Sequence, residues 1–225
     1  MMYFPLIQNN ITKQDLEKVK RYLNNENILL TQSKKVKEFE NQWSKWLGVK
    51  YSIFVNSGSS ANLISMAVVK NLYGDGEVIV PALTWVSDIA SILQNNLKPK
   101  FVDIDLDTLS MTSENLEKKI NKKTRAIFIT HAQGFNGFNK NFFEIIKNFK
   151  IPIIEDVCES HGAKYKKKKL GTFGLISNFS FYYAHHMSTI EGGMICTNDR
   201  KIYELCRMFR SHGLVREIES NKFKK

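Results

Sequence analysis

Two adjacent imidazoles, His185 and His186, follow an apolar run that begins near Ser180 and precede a small polar turn leading to Glu191-Gly-Gly-Met194. Imidazole titrates close to neutrality, so a histidine at the end of a strand is placed to move protons. A second reactive group is Glu155-Asp156, followed by Cys158, Glu159 and His161. An aspartate directly after the apolar run Ile151–Ile154 is costly to bury unless a cation or hydrogen-bond donors meet it. A third group, Asn56-Ser-Gly-Ser-Ser-Ala61, opens what reads as a helix. Small residues there let backbone N–H groups and hydroxyls approach a phosphate, and the helix dipole favours the anion. The loop lacks the lysine of a P-loop, which argues against a nucleoside triphosphatase. Trp85, in Pro81-Ala-Leu-Thr-Trp85, reads first as a core residue and second as a plate for a planar ring.

These groups are positioned by an alternation of short apolar runs and helical segments. The runs are Tyr51–Val55, Val78–Val80, Phe101–Ile104, Ala126–Thr130, Ile151–Ile154, Phe179–Tyr183 and Met194–Thr197. Between them lie an amphipathic stretch with Ala61, Leu63, Ile64, Met66 and Val68, then Ser113–Ile120 and Asn141–Phe149. The alternation predicts an α/β domain with a mostly parallel sheet covered on both faces, its binding site at the carboxyl ends of the strands. Upstream, Thr12-Lys-Gln-Asp15 reads as a helix start with Leu16, Val19, Tyr22 and Leu23 on one apolar face. Ser33 reads as the cap of a second helix carrying Val36, Phe39, Trp43, Trp46 and Leu47, and Gly48 as its stop.

Composition narrows the function class. The 225 residues make one large domain or two small ones. No apolar run reaches the ~18 residues of a membrane span. The start MMYFPLIQNNITK lacks the basic, apolar and small-residue regions of a signal peptide, so a cytoplasmic location and no membrane partner are expected. The net charge of +11 comes from lysines scattered among asparagines. The densest run, Lys166–Lys169, reads as a solvated hairpin tip rather than a nucleic-acid face, and an anionic small substrate suits the charge as well. Three widely spaced cysteines, Cys158, Cys196 and Cys206, suggest neither a disulfide framework nor a zinc site, and no metal is expected. A phosphate cradle, an aromatic plate, an acid for a ring nitrogen, and a serine with histidines on a later strand are together what a pyridoxal cofactor needs.

The stretches NSGSSAN, VIVPALTW, KFVDID, IIEDVCESHGAKY, GTFG and FSFYYAHHMSTIEGGM occur in this order between about Glu38 and His212. In that wording and order the sequence resembles the DegT/DnrJ/EryC1/StrS family of sugar aminotransferases. The resemblance implies fold type I of the pyridoxal-phosphate enzymes, aspartate aminotransferase-like, with three α/β/α layers. It implies pyridoxal 5'-phosphate and pyridoxamine 5'-phosphate as cofactor, a nucleotide-linked keto sugar and L-glutamate as partners, and a homodimer. By the same resemblance Gly58, Ser59 and Ser180 would hold the phosphate, Trp85 would stack on the ring, Asp156 would pair with its nitrogen and Glu159 would lie near its hydroxyl.

One position departs. In the aminotransferases the strand is followed by Ser-Phe, two or three residues, and a lysine that bonds covalently to the cofactor. Counting back from Gly192, that lysine falls on His185. Histidine there resembles the family's sugar 3-dehydratases, above all those acting on GDP-linked 4-keto-6-deoxy sugars, and implies His185 as the catalytic base. His186 and His212 are further candidates for catalysis or substrate binding. The iron–sulfur dehydratases that act on CDP-linked sugars need a full set of about four thiolates, which three scattered cysteines do not supply. An aminotransferase using another lysine and an inactive scaffold are the rival expectations. By the resemblance, residues 1–35 form an N-terminal segment and 36–225 the cofactor-binding large domain; the small domain beyond it is expected to be missing, a fragment or truncated product whose activity is in question.

Overall fold

A computed structural model describes residues 9–215. Two helices, α1 (Lys13–Leu23) and α2 (Lys34–Leu47), precede the alternating unit. This runs β1 (Tyr51–Val55), α3 (Gly58–Tyr73), β2 (Glu77–Pro81), α4 (Val86–Gln94), β3 (Lys98–Val102), α5 (Ser113–Lys119), β4 (Thr124–Thr130), α6 (Lys140–Phe149) and β5 (Ile153–Asp156). A small hairpin of β6 (Lys164–Tyr165) and β7 (Lys168–Lys169) follows, then β8 (Ile176–Ser180), β9 (Gly193–Thr197) and α7 (Arg200–Arg210).

Seven strands form one sheet in the order β1-β9-β8-β5-β4-β2-β3. Only β9 runs antiparallel to its neighbours. The carboxyl ends of the other six therefore point to one edge, and the amino end of β9 joins them there. The period-2 alternation of each strand divides the core between the two faces. Ile79, Ile127, Ile129, Ile153 and Met194 pack with α2, α5 and α6 through Trp43, Leu116 and Phe142. Val78, Val80, Ala126, Phe128, Ile154 and Ile195 pack with α3, α4 and α7 through Ala61, Ile92 and Ile202. Each such side chain taken from water contributes about 1.5–3 kcal/mol, so strands apolar on both faces are stable only under two helical layers. The α/β class with three layers is thus observed.

The helix signals hold with one correction. Thr12 and Asp15 form a reciprocal capping box at α1, and Gly48 ends α2 in the left-handed region. Ser33 stands at the cap position of α2 but its side chain makes no capping bond. The correction concerns α1: its apolar face is not buried, and Leu16, Val19 and Leu23 are exposed.

Three strand expectations shift, the run expected at Ile151–Ile154 being β5, Ile153–Asp156, so that Asp156 is its last residue. The run expected at Phe101–Ile104 is β3, Lys98–Val102, an edge strand whose Lys98, Pro99 and Lys100 suit a sheet margin. The run expected at Phe179–Tyr183 ends at Ser180, because its last partner on β9 is Gly193. The next residues turn back through a bond from His185 N–H to the Tyr182 carbonyl, 3.0 Å. The lysine run is a hairpin tip as expected, with Lys166 and Lys167 at positive φ. Lys169 also covers the Trp46 ring, 4.5 Å from its centroid.

Candidate active site

The strand ends converge around the amino terminus of α3. Ser57 caps that helix through its hydroxyl, which accepts from Ser60 N–H at 3.0 Å, and its carbonyl takes Ala61 N–H at 3.1 Å. Nothing among the described residues accepts from the N–H groups of Gly58 and Ser59, which is the usual state of an open helix terminus that can hold an anion. Gly58 is buried so tightly that a Cβ there would lie 2.7 Å from Ser180 Cβ and 3.0 Å from Cys158 Sγ. Gly193, at the start of β9, passes beneath the same loop, where a Cβ would lie 2.8 Å from Gly58 N and still closer to the Ser57 carbonyl. The Glu-Gly-Gly signal is therefore a packing requirement of the cradle. Of the expected phosphate group, the structure brings Gly58 and Ser180 into contact and leaves Ser59 exposed beside them.

Asp156 ends β5 and is 3% exposed. One carboxylate oxygen accepts from Cys158 N–H at 2.8 Å and the other from Asn62 Nδ2 at 3.4 Å. Asn62 also donates to Asp88 Oδ1 at 2.7 Å. Asp88 Oδ2 lies within hydrogen-bond distance of the Thr84 hydroxyl, 2.5 Å, and of the Thr130 hydroxyl, 2.8 Å. The chain of bonds continues from Ser65 to Asn178 at 2.8 Å and from Asn178 to Asn62 at 2.9 Å. Burial pushes the Asp88 carboxyl well above the usual carboxylate range, and the adjacent Asp156 raises it further. Cys158 is raised as well, by burial first and then by Asp156, so it stays a thiol. No ion pair among the described residues reaches Asp156; a buried carboxylate in that condition suits a nitrogen that bears a proton.

Glu155, one residue earlier, faces the other side of the sheet. It accepts from the N–H groups of Gly171, Phe173 and Gly174 at 2.6, 2.8 and 2.5 Å, and lies 3.3 Å from His131 Nε2. It clamps the Gly-Thr-Phe-Gly turn, a structural role that strand alternation separates from that of Asp156. Glu159 accepts from Gln133 N–H at 2.9 Å and is partly exposed at the site's rim.

Above this floor the connection between β8 and β9 carries His185 and His186. It closes on itself through Phe181 N–H to Gly192 O, 2.8 Å, and Thr189 N–H to Phe181 O, 3.0 Å. His161 lies beneath it, its ring centroid 5.3 Å from that of His186 and 6.3 Å from that of His185. The edges of Trp43, Phe179 and Phe181 surround His161, and neither of its ring nitrogens has a hydrogen-bond partner among the described residues. Burial, with the neighbouring imidazoles, lowers its pKa to about 3. Burial also lowers that of His185, against an upward pull from Glu159 and Asp156. A neutral His185 near two carboxylates can accept a proton and release it again.

The remaining expected residues are placed differently. Trp85 is 61% exposed, which overturns the core reading and leaves its ring free at the rim. It is the N-cap residue of α4, next to Thr84 of the carboxylate network. His212 follows α7 in a left-handed conformation and is exposed. Among the described residues, none of the ring contacts or hydrogen bonds of the imidazole cluster involves it. Arg210, bonded to Glu40 and the Phe54 carbonyl at 2.9 and 3.0 Å, holds this segment near the carboxyl end of β1. Asn62, Asp88, Asn178 and His161 were not singled out as site residues. A usable signal existed for His161, which falls in the Asp156 stretch; Asn178 stands between Ser177 and Phe179 in a strand of mixed polarity and carries none.

The model of the DegT/DnrJ/EryC1/StrS aminotransferase family matches residues 9–225. A GDP-4-keto-6-deoxy-D-mannose 3-dehydratase of Escherichia coli O55:H7 is 36% identical over 227 residues, covering 97% of this chain and 57% of that protein. A GDP-perosamine synthase of Escherichia coli O157:H7 is 36% identical over 215 residues, 96% of this chain and 58% of that one. Among solved structures, the E. coli GDP-4-keto-6-deoxy-D-mannose-3-dehydratase with bound hydrated PLP superposes with a TM-score of 0.90 at 34% identity, over 97% of this chain and 57% of that one. The GDP-4-keto-6-deoxymannose-3-dehydratase with a trapped PLP-glutamate geminal diamine gives 0.90 at 34%, over 96% and 57%. The chain thus spans a little over half the length of these relatives.

Proposed function

The chain belongs to the DegT/DnrJ/EryC1/StrS aminotransferase family, and from that premise we propose that it binds pyridoxal 5'-phosphate and its amino form and serves the 3-dehydration of a nucleotide-linked 4-keto-6-deoxy sugar in polysaccharide or O-antigen biosynthesis. The residues present fit that cofactor. The open N-terminus of α3 beside Ser180 suits its phosphate, the uncompensated Asp156 suits its ring nitrogen, and Trp85 at the rim offers an aromatic face. When bound, the cofactor supplies a ring that accepts electrons from an adjacent carbon.

The chain's own residues then divide the work. Gly58, Ser59 and Ser180 bind and orient the phosphate. Asp156 would pair with the ring nitrogen, with Asn62 and Cys158 N–H fixing the carboxylate's direction. Glu159, held at the rim by Gln133 N–H, would lie near the ring hydroxyl. His185 would take a proton from the carbon that carries the cofactor's amino group and return it to the hydroxyl that leaves carbon 3 of the sugar as water. L-glutamate is the amino donor, in keeping with the glutamate adduct named for the related structure. His186 and His212 are assigned to substrate contact. We further read residues 36–225 as the cofactor-binding large domain and 1–35 as an N-terminal segment, in a cytoplasmic homodimer. The exposed Tyr182, Tyr183, Met187 and Ile190 beside the imidazoles are the apolar surface a partner subunit would cover.

The observation that carries this reading is His185 in the place of the family's lysine, packed with His161 and His186. The perosamine synthase relative favours transamination as the second reading, and the same position opposes it. The test is borohydride reduction of the full-length protein with pyridoxal phosphate, followed by mass spectrometry, alongside an assay for loss of the 3-hydroxyl from GDP-4-keto-6-deoxymannose. Dehydration without a pyridoxyl-lysine in the site supports the reading; a pyridoxyl-lysine there overturns it.

A further inference from the structure

The contacts around Asp88 need one more proton than the neighbouring hydroxyls supply. Thr84 Oγ1, Thr130 Oγ1 and Asp88 Oδ2 form a triangle with sides of 2.6, 2.5 and 2.8 Å. Each side is a hydrogen-bond distance and calls for a hydrogen between its two oxygens. The two hydroxyls bring one each. With Asp88 ionised, one side would set lone pair against lone pair in a fully buried place. A proton on Asp88 Oδ2 completes the ring. The other oxygen, Oδ1, already accepts from Asn62 Nδ2, and Asn62 is held in that sense because its own carbonyl accepts from Asn178. The titratable groups facing Asp88 are Asp156 at the end of β5 and the Cys158 thiol beyond it, both acids. The groups on α3, on β4 and on Asp88's own segment are the neutral Asn62, Ser87, Thr130 and Thr84.

We propose that Asp88 is a positioning residue that keeps its proton in the native protein, closing a ring with Thr84 and Thr130 as a neutral acid so that, of the two facing carboxyls, Asp156 is the one left to carry a charge. Its purpose, though not its protonation, rests on the reading of Asp156 as partner of a ring nitrogen. A carboxylic acid kept neutral by an apolar site acts as a hydrogen-bond donor at neutral pH. Here it ties Thr84, and with it the loop carrying Trp85, to the strand end of β4. It also spares Asn62 from bridging two negative charges.

The experiment uses the cofactor-free full-length protein, so its outcome is independent of the cofactor reading, which loss of pyridoxal phosphate binding in Asp156→Asn tests separately. Infrared spectra at pH 7 with isotope-labelled aspartate are expected to contain a carbonyl band of an un-ionised acid that is absent from Asp88→Asn. The second readout is the melting temperature of wild type minus that of Asp88→Asn. Above a pH of about 4 the unfolded chain loses a proton that the folded chain keeps, so wild type should lose about 3–5 °C relative to the variant for each pH unit between 5 and 7. A band unchanged by Asp88→Asn, or a temperature difference independent of pH, overturns the proposal. If that variant does not fold, Thr130→Val decides: removing one hydroxyl of the ring should shift the band, and an unshifted or absent band overturns it.

Discussion

The two sides of the cradle are built in opposite ways. On the carboxylate side, side chains from α3, α4, β4, β5 and β8 interlock, and each polar atom of Asn62 and Asp88 has a partner within hydrogen-bond distance. On the imidazole side, His185 and His186 ride on a connection closed by a few backbone bonds and rest on ring faces rather than on donors. The difference follows from the work assigned to each. A fixed charge is most effective when its dipoles are already oriented and need not reorganise. A group that takes up and returns a proton must reach its partner and tolerate both charge states, which a fully bonded, buried imidazole does not.

The largest effect expected is on the rigid side. Asp156→Asn keeps the volume but removes the charge, and should lower turnover of the full-length enzyme about 10³-fold, roughly 4 kcal/mol of barrier. Circular dichroism should show the fold retained. A loss under about tenfold in steady-state kinetics would break the comparison, because the interlocked side would then not be holding a working charge.

The imidazole side is sharpened by comparing its two imidazoles. His185→Asn should abolish most dehydration while His186→Asn costs about tenfold or less; the reverse ratio moves the base by one residue. His185→Lys should lose dehydration and gain a pyridoxyl-lysine after borohydride reduction.

A smaller effect is expected where the two sides meet. Gly58→Ala forces a methyl against Ser180, and overpacking of this kind costs about 1–3 kcal/mol. Both the denaturation midpoint and affinity for pyridoxal phosphate should fall; unchanged affinity would remove Gly58 from the cradle.

The least effect at neutral pH belongs to His161. Its folded pKa of about 3 lies below the ordinary value of 6.5. Stability is therefore full above pH 6.5 and is lost as pH falls, since the unfolded chain takes up a proton that the folded one refuses. The slope is at most about 1.4 kcal/mol per pH unit. Urea melts at pH 7 and 5 should show this loss in wild type and a flatter profile in His161→Phe. Equal slopes in the two would mean that His161 is not held neutral by its ring neighbours.

Much of this arrangement was legible in the residues themselves. The open helix terminus at Gly58, the acid at the end of β5 and the histidine in the lysine position are local features, each a residue type at the end of an apolar run. The division between Glu155 and Asp156 was not, although alternation along a strand implies opposite faces: which face carries the site depends on where α3 packs. Trp85 read as core because a strand-end tryptophan usually finds one. Here α4 begins at the next residue and turns the ring outward.

The sequence alone determined the alternation of strands and helices, and so a sheet with apolar residues on both faces, because hydrophobic period is written in neighbouring residues. It also determined which chemical groups stand at the strand ends. Only the tertiary structure decided which of them meet. Asn62, Asp88, Thr130, Asp156 and Asn178 come from five separate elements, and no local pattern marks them as one network. The strand order brings β5 between β4 and β8, and α3 packs against β4 and β8. The physical reason is that a buried polar group can be satisfied only by partners the fold delivers to it from elsewhere in the chain.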